Sequence, residues 1–282
     1  GGVALEYMID FANYVGASPW FTIPTAADDN YVREMAKLIK ERLDGGRKFY
    51  IEYSNEVWNT FQWPFSFVES ERVRRNMKSI DQYYATRALE MFKIFEEVFG
   101  STERFVRVLS GQAGNAWRNK ELLDFPGVGQ KVDAFAIAPY FSFDEDHPSS
   151  QTIETQPEDV QLEALQLNLT RVRQQIRTDR RLADAVGLPL ITYEAGQAVV
   201  SASGSDTFCG PVNRHPRMEQ LYRDYMDIWR QETDGALLVL LSDVSQFNKY
   251  GCWGLSEYLG QSIAETPKLR AVRAYIERLK PN

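Results

Sequence analysis

The sequence contains few of the residues that build metal and redox sites. Its 282 residues include only two cysteines, Cys209 and Cys252, and two histidines, His147 and His215. A structural zinc site needs four soft ligands, often supplied around a C-x-x-C pair, so we expect no such site. The two cysteines either form one disulfide in an exported protein or remain as two free thiols, and the sequence leaves both alternatives open.

Long apolar runs and an excess of positive charge are also lacking. No run of about 18 apolar residues occurs, so the sequence predicts no membrane-spanning helix. The net charge is −7, whereas nucleic acids and anionic membranes favour basic surfaces, so neither is the expected partner. No glycine-rich phosphate loop follows any predicted strand, which disfavours a nucleotide-using enzyme. The chain opens on Gly1-Gly2-Val3 without a signal peptide, and this start indicates a processed or truncated end.

The composition is that of a chain with a sizeable core. Apolar residues make up 44% of the sequence and charged residues 25%, so we expect a folded rather than a disordered protein. Apolar residues recur with helical spacing in several segments, and Asp28 or Asp29 is the expected cap of the second one. The predicted helices are an opening helix around 4–15, then 29–43, 81–99, 158–178, 217–231 and 267–279.

Short apolar runs alternate with these helices and predict strands that are covered on both faces. Connections from helix to strand are short, whereas those that leave the strands are often long, as in a (β/α)8 barrel with its active face at the carboxyl ends of the strands. An open doubly wound sheet is the alternative. The predicted strands are 18–24, 48–54, 104–110, 132–139, 188–194 and 235–242.

The number of predicted strands falls short of a full barrel. Six βα units are visible in a single domain spanning 1–282, and a complete barrel needs eight. Either two units have been lost from the amino end, or the sheet is open, or a missing segment or partner chain completes the barrel.

Two glutamates occupy the ends of predicted strands. Glu56 lies just past the strand at 48–54, and Glu194 ends the strand at 188–194. A pair of carboxyl groups facing one cleft can hydrolyse a glycosidic bond, one as acid and the other as nucleophile or base. Because the chain has 39 acidic residues, chance placement at strand ends is the alternative.

The surroundings of the two glutamates resemble the signature regions of the clan A glycoside hydrolases. These regions are "YSNEVWN" (53–59) and "ITYEAG" (191–196). The clan has a retaining mechanism and a (β/α)8 fold, with an Asn-Glu pair at the end of strand four and a lone Glu at the end of strand seven. The resemblance implies that Glu56 is the acid/base, Asn55 the partner of the sugar 2-hydroxyl, and Glu194 the nucleophile. The visible strands then become strands three to eight, and the first two are missing.

Two further positions follow from this resemblance. Tyr140 matches the tyrosine that contacts the nucleophile after strand six, and Trp253 is the candidate for the tryptophan that floors the sugar subsite. The chain departs from ordinary family 5 enzymes, because Pro24-Thr25 and Ala138 stand where that family usually carries histidines. Sugar-contacting details therefore differ from those of family 5.

Other residues in the loops after the strands complete the predicted site. We expect Trp58, Gln112, Asn115 and Gln197 to contact substrate, with loop support as the alternative for each. The loops after strands seven and eight are neighbours in a barrel, so a disulfide between Cys209 and Cys252 is a hypothesis.

These observations predict a retaining glycosidase that cleaves a β-linked poly- or oligosaccharide. The two-carboxylate mechanism needs no metal or organic cofactor, and the expected location is extracellular or periplasmic. The alternative is a catalytically inactive, barrel-derived carbohydrate-binding or surface protein.

Overall fold

The computed structural model describes residues 2–143 and 150–280 of the chain. These residues alternate between helices and strands, which confirms the predicted α/β class. The elements are α1 (Leu5–Val15), β1 (Trp20–Ile23), α2 (Asp29–Arg42), β2 (Phe49–Tyr53), α3 (Trp63–Arg74), α4 (Ile80–Phe99), β3 (Phe105–Ser110), α5 (Ala116–Leu123), α6 (Val128–Lys131), β4 (Ala134–Ile137), α7 (Glu158–Asp184), β5 (Leu190–Thr192), α8 (Cys209–Arg214), α9 (Arg217–Thr233) and α10 (Pro267–Leu279).

The five strands form one parallel sheet in the order β1-β2-β3-β4-β5. Trp20 of β1 lies beside Tyr50 of β2, and Glu52 of β2 lies beside Val108 of β3. Parallel neighbours need crossover connections, and helices supply them between successive strands. The sheet therefore has the βαβ organisation that the alternating sequence pattern predicts.

The chain divides into two compact units. The first comprises Gly1–Ala136 with Arg181–Leu190, and the second comprises Ile137–Arg180 with Ile191–Asn282. The predicted site residues up to Asn115 belong to the first unit, and those from Tyr140 onward belong to the second.

An aromatic cluster fills the core of the first unit. The ring of Phe49 lies 5.6 Å from that of Phe105 and 6.3 Å from that of Phe95, and all three side chains are buried. Burial of each such side chain contributes about 1.5–3 kcal/mol. The cluster packs α4 against the starts of β2 and β3. Glu56 lies beyond the opposite end of β2.

The core of the second unit is built around α9. Tyr222 and Tyr225 are fully buried, and burial raises the pKa of both phenols well above the usual range. The Tyr225 hydroxyl donates to the Pro139 carbonyl at 3.0 Å, and both rings pack against Phe141. These contacts fix the backbone on either side of Tyr140.

Helix boundaries follow the expected capping chemistry. The Asp28 side chain accepts a hydrogen bond from the Tyr31 N–H at 2.7 Å, which settles the two candidate caps of α2 in favour of Asp28. Gly100 ends α4 with a φ of 78°, a left-handed conformation that glycine adopts without strain. All six predicted helices are confirmed, and α7 extends beyond its predicted end.

The sixth predicted strand, 235–242, is wrong, because no strand is formed there. The segment instead meets β5 and the residues that follow it through side-chain and single backbone hydrogen bonds. The Thr192 hydroxyl accepts from the Val239 N–H at 2.6 Å and lies 3.2 Å from the Val239 carbonyl. The backbone adds a bond from the Thr192 N–H to the Leu237 carbonyl at 3.2 Å and one from the Leu241 N–H to the Ala195 carbonyl at 3.0 Å, and these bonds do not form the regular ladder of a strand pair.

Helices also occupy the long connections that the sequence left as loops. The segment after Glu56 contains α3, and further short helices are α5, α6 and α8. Pro64 stands in the first turn of α3, where its missing N–H costs no hydrogen bond.

Candidate active site

The end of β2 bends sharply into the Glu56 region of the first unit. Ser54 has a φ of 59° and Glu56 a φ of 42°, both in the left-handed region that costs non-glycine residues about 1–3 kcal/mol. The Ser54 hydroxyl shares a hydrogen bond of 2.7 Å with that of Thr25, and the Val57 side chain is fully buried. These contacts hold a strained backbone that turns Glu56 out of the strand.

Asn59 is the polar neighbour of Glu56. Its side-chain amide donates to Glu56 Oε2 at 3.3 Å, and its backbone N–H donates to the Glu56 carbonyl at 2.9 Å. Glu56 and Asn55 are both half-buried. Sequence reasoning missed Asn59, although it ends the same "SNEVWN" run, because nothing in the pattern shows the turn that brings it back.

Glu52, inside β2, has a structural environment. Its side chain is 2% exposed, and it accepts hydrogen bonds from the Trp20 indole at 3.0 Å and from the Ser110 hydroxyl. Buried carboxylates with such partners hold neighbouring strands together. Glu56, four residues later, is the carboxylate at the strand end.

Several aromatic rings follow Glu56 and are unevenly exposed. The Trp58 ring is half-buried, with the Arg118 guanidinium 5.9 Å from its centroid. In contrast, Phe61 is 99% exposed and Trp63 is 61% exposed. Rings that remain exposed beside a carboxylate are available for stacking on a ligand.

Gln112 and Asn115 bond to each other beyond β3. The Asn115 amide donates to Gln112 Oε1 at 3.0 Å, and Asn115 Oδ1 accepts from the Arg118 N–H at 3.2 Å as the cap of α5. Asn115 therefore has a structural role that the sequence did not reveal. Contact of either residue with substrate stays a prediction.

Glu194 follows β5 in the second unit and is held by Tyr140. The Tyr140 hydroxyl donates to Glu194 Oε2 at 2.8 Å. The Trp253 ring meets the Tyr140 ring edge-to-face, with centroids 5.5 Å apart. The structure thus brings together three residues that the sequence predicts for one site, and all three are half-buried.

The Trp253 ring is fixed from its own loop. Its indole N–H donates to the Tyr250 carbonyl at 2.9 Å. Gly251 has a φ of 129°, and a Cβ there would lie 2.3 Å from Trp253 Nε1. Only glycine allows this close approach.

Gln197 is buried rather than presented to solvent. Its side chain is 1% exposed, with the amide donating to the Cys252 carbonyl at 2.8 Å and Oε1 accepting from the Val199 N–H at 2.7 Å. Both ends of the amide are engaged, so the structure gives Gln197 the role of a loop support. Cys252 forms a disulfide with Cys209, with Cα atoms 5.9 Å apart.

No group of three or more histidine, cysteine, aspartate or glutamate side chains in residues 2–143 and 150–280 could hold a metal ion. Within the same residues, no helix has the length and apolarity needed to cross a membrane. His147 lies outside the described residues.

Comparisons by sequence find no relatives. No family model matches the chain, and no curated protein matches it.

Solved glycoside hydrolases share its fold. The GH51 arabinofuranosidase from Xanthomonas axonopodis pv. citri superposes with a TM-score of 0.58 at 14% identity, covering 86% of this chain and 49% of that one. A modular endo-beta-1,4-mannanase of family 26 from Cellulomonas fimi gives 0.56 at 12% identity, covering 98% and 58%. A 4-O-alpha-L-rhamnosyl-beta-D-glucuronidase from Fusarium oxysporum 12S gives 0.55 at 12% identity, covering 95% and 52%. The chain thus spans about half the length of these proteins and has a fold found in glycoside hydrolases.

Proposed function

We propose that this chain carries the active site of a retaining glycoside hydrolase that cleaves O-glycosidic bonds of a β-linked poly- or oligosaccharide. The observation that carries the proposal is the 2.8 Å hydrogen bond from the Tyr140 hydroxyl to Glu194 at the end of β5. A phenol that donates to a carboxylate orients the oxygen that must attack. The fold shared with solved glycoside hydrolases supports the same reaction class.

In the first step, the Glu194 carboxylate attacks the anomeric carbon and forms a glycosyl ester. Glu56 donates its proton to the departing glycosidic oxygen, so the leaving sugar departs as a neutral alcohol. The bond to the leaving oxygen breaks as the bond to Glu194 forms. The strained turn at Glu56 and its neighbour Asn59 support this assignment, because backbone strain of this kind concentrates at functional sites.

In the second step, water attacks the same anomeric carbon. Glu56, now a carboxylate, takes a proton from the water, and Glu194 departs as a carboxylate. Two inversions leave the configuration of the sugar unchanged.

The proposed substrate is a glycan with apolar sugar faces. The exposed rings of Phe61 and Trp63 lie close in sequence to Glu56, and such rings stack on the faces of sugar units. Asn55, at the position next to Glu56, is proposed to bond the sugar 2-hydroxyl. Tyr140 and Trp253 are proposed to line the subsite of the sugar that reacts.

The test is a release assay over a panel of β-linked glycans, followed by proton NMR of the first product. We expect hydrolysis of at least one glycan with the β-anomer released first. Binding without hydrolysis would favour a carbohydrate-binding protein, and initial release of the α-anomer would contradict the double displacement.

We further propose that the protein acts outside the cytoplasm. The supporting observation is the Cys209–Cys252 disulfide, because such bonds persist in oxidising compartments. Titration of the unfolded, unreduced protein should find no free thiol, whereas two thiols would contradict the location.

A further inference from the structure

A buried lysine lies in the second unit, outside the set of residues assigned to the reaction. Lys268 is 1% exposed and is the second residue of α10. The start of a helix disfavours positive charge, and removal of an ammonium group from water is unfavourable. Burial lowers the pKa of Lys268 well below its ordinary value. The contacts of Lys268 must therefore offset the free-energy cost of its burial.

Lys268 contacts three groups, and one of them is the peptide group that joins Cys252 to Trp253. Lys268 Nζ donates to the Cys252 carbonyl at 2.5 Å and to Asn213 Oδ1 at 2.8 Å. It also lies 4.7 Å from the centroid of the Phe247 ring. The Cys252 carbonyl receives a second hydrogen bond from the Gln197 amide. Two donors from different segments therefore fix the orientation of this carbonyl.

The same group is tied to α8 by a closed ring of contacts. The Asn213 amide donates to the Cys209 carbonyl at 2.9 Å, and Cys209 is bonded to Cys252 through the disulfide. Lys268 links Asn213 back to Cys252 and closes the ring. We call Cys209, Asn213, Cys252 and Lys268 the Cys252 clamp.

The clamp acts on the residue that follows it in the chain. The Cys252 carbonyl belongs to the same peptide group as the N–H of Trp253, so the orientation of that plane sets where the Trp253 ring lies. That ring packs against Tyr140, and Tyr140 donates to Glu194. A continuous series of contacts thus joins Lys268 to the proposed nucleophile.

We propose that Lys268 is a positioning residue that holds Trp253 against Tyr140 through the Cys252–Trp253 peptide group. The inference rests on the proposed function for its effect on catalysis, but its structural part stands on its own. The route from Lys268 to Tyr140 runs through the Cys252 carbonyl and the Trp253 ring.

The structural part is tested by NMR of the full chain with 15N-labelled tryptophan. The six tryptophans give six indole signals, and the Trp253→Phe variant identifies the signal of Trp253. We expect Lys268→Met to shift the Trp253 signal, whereas Arg273→Met, which removes an exposed cation from the same helix, should not. An unmoved Trp253 signal in folded Lys268→Met would overturn the proposal.

A second variant covers the case in which Lys268→Met does not fold. Asn213→Ala removes one of the two acceptors that fix Lys268 Nζ and should move the same indole signal by a smaller amount. An unchanged signal in Asn213→Ala, with Lys268→Met unfolded, would also count against the proposal.

The catalytic part is tested with the glycan that the wild-type protein hydrolyses. Misplacement of a supporting group by about 1 Å can lower the rate about 100-fold, so we expect Lys268→Met to lower kcat about 10- to 100-fold with little change in KM. In the Trp253→Phe background, Lys268→Met should lower kcat by less than a further threefold, because the Trp253 ring that Lys268 positions is already absent. Equal losses in both backgrounds would show that Lys268 acts elsewhere. If the wild-type protein hydrolyses nothing, the proposed function fails, and the indole signals alone decide whether the clamp positions Trp253.

Discussion

The ends of β2 and β5 each carry a glutamate, but the two ends hold it in different ways. At β2, Glu56 stands on a left-handed turn, and its side chain accepts a hydrogen bond from Asn59 at 3.3 Å. At β5, Glu194 accepts a shorter bond of 2.8 Å from Tyr140, whose ring is packed against Trp253. The hydrogen bond at the β5 end is therefore the shorter of the two.

This difference suits the two proposed roles. A nucleophile must be held at one position relative to the anomeric carbon, since small displacements reduce the rate steeply. An acid/base must exchange protons first with a leaving group and then with water. We expect substitutions at the β5 end to lower the rate of hydrolysis more than the corresponding substitutions at the β2 end.

The largest effect is expected from Glu194→Ala. Loss of the nucleophile should lower kcat about 10⁴- to 10⁶-fold, the range measured when a catalytic group is removed. Azide should restore turnover of an activated glycoside and give a glycosyl azide of inverted configuration. Glu257→Gln, which changes a carboxylate that Arg214 already engages, is the control and should stay within about threefold. A Glu194→Ala protein with wild-type kcat would refute the role.

Glu56→Ala should cost less and depend on the leaving group. General acid catalysis contributes about 10²- to 10⁴-fold, so hydrolysis of the natural glycan should fall by that factor. Cleavage of an aryl glycoside with an acidic phenol as leaving group should fall far less in its first step, because that phenol needs no proton. Azide should here give a product of retained configuration. A loss that is the same for both substrates would contradict the acid/base assignment.

A buried carboxyl group that lies 3.6 Å from the Arg118 guanidinium should make the first unit sensitive to pH. Asp81 is 3% exposed, and burial raises its pKa to about 6, against the opposing charge of Arg118. Since the folded pKa exceeds the ordinary value of 3.8, protonation of Asp81 favours the folded state. This contribution to the free energy of unfolding is present below about pH 3.8 and is lost as the pH rises through about 6. The difference between these values, at about 1.4 kcal/mol per pH unit, corresponds to about 3 kcal/mol.

Chemical denaturation of the wild-type protein and Asp81→Asn at several pH values measures this effect. The stability of the wild-type protein relative to the variant should fall by about 3 kcal/mol between pH 3.8 and pH 7. A relative stability that does not change with pH would show that Asp81 has an ordinary pKa in the folded protein.

The smallest effects compare single hydrogen bonds at the two ends. Tyr140→Phe removes the bond to Glu194 and keeps the ring beside Trp253, so kcat/KM should fall about 10- to 100-fold, as expected for a hydrogen bond to a charged group worth about 1.5–3 kcal/mol. Asn59→Ala removes the longer bond to Glu56 and should cost less than about tenfold. Equal losses of kcat/KM in the two variants would contradict the predicted difference between the ends of β2 and β5.

The sequence predicted those features that rest on local patterns. The two candidate caps of α2, Asp28 and Asp29, and its buried face follow from residue type and helical spacing, and the structure selects Asp28. Tyr140 and Glu194 were predicted together from a resemblance, and the structure shows them in contact. In each case the deciding residues lie in short, recognisable stretches.

The remaining features depend on contacts between distant residues. The segment 235–242 looks like a strand by its apolar run, but the Thr192 hydroxyl bonds both backbone groups of Val239, and the backbone bonds beside it do not form a regular ladder. Gln197 was predicted to face substrate, yet its amide reaches a carbonyl at Cys252. Apolar residues in α3 are not confined to one face, so that helix gave no periodic signal.

Trapping of the glycosyl-enzyme would decide whether Glu194 is the nucleophile. The protein is incubated with a 2-deoxy-2-fluoro glycoside of the sugar it releases, digested at low pH, and mapped by mass spectrometry. We expect one peptide, the one containing Glu194, to gain the mass of a single fluorosugar, with fragmentation placing the ester on that side chain. A label on Glu56 or on any other residue, or inactivation without a label, would contradict the account.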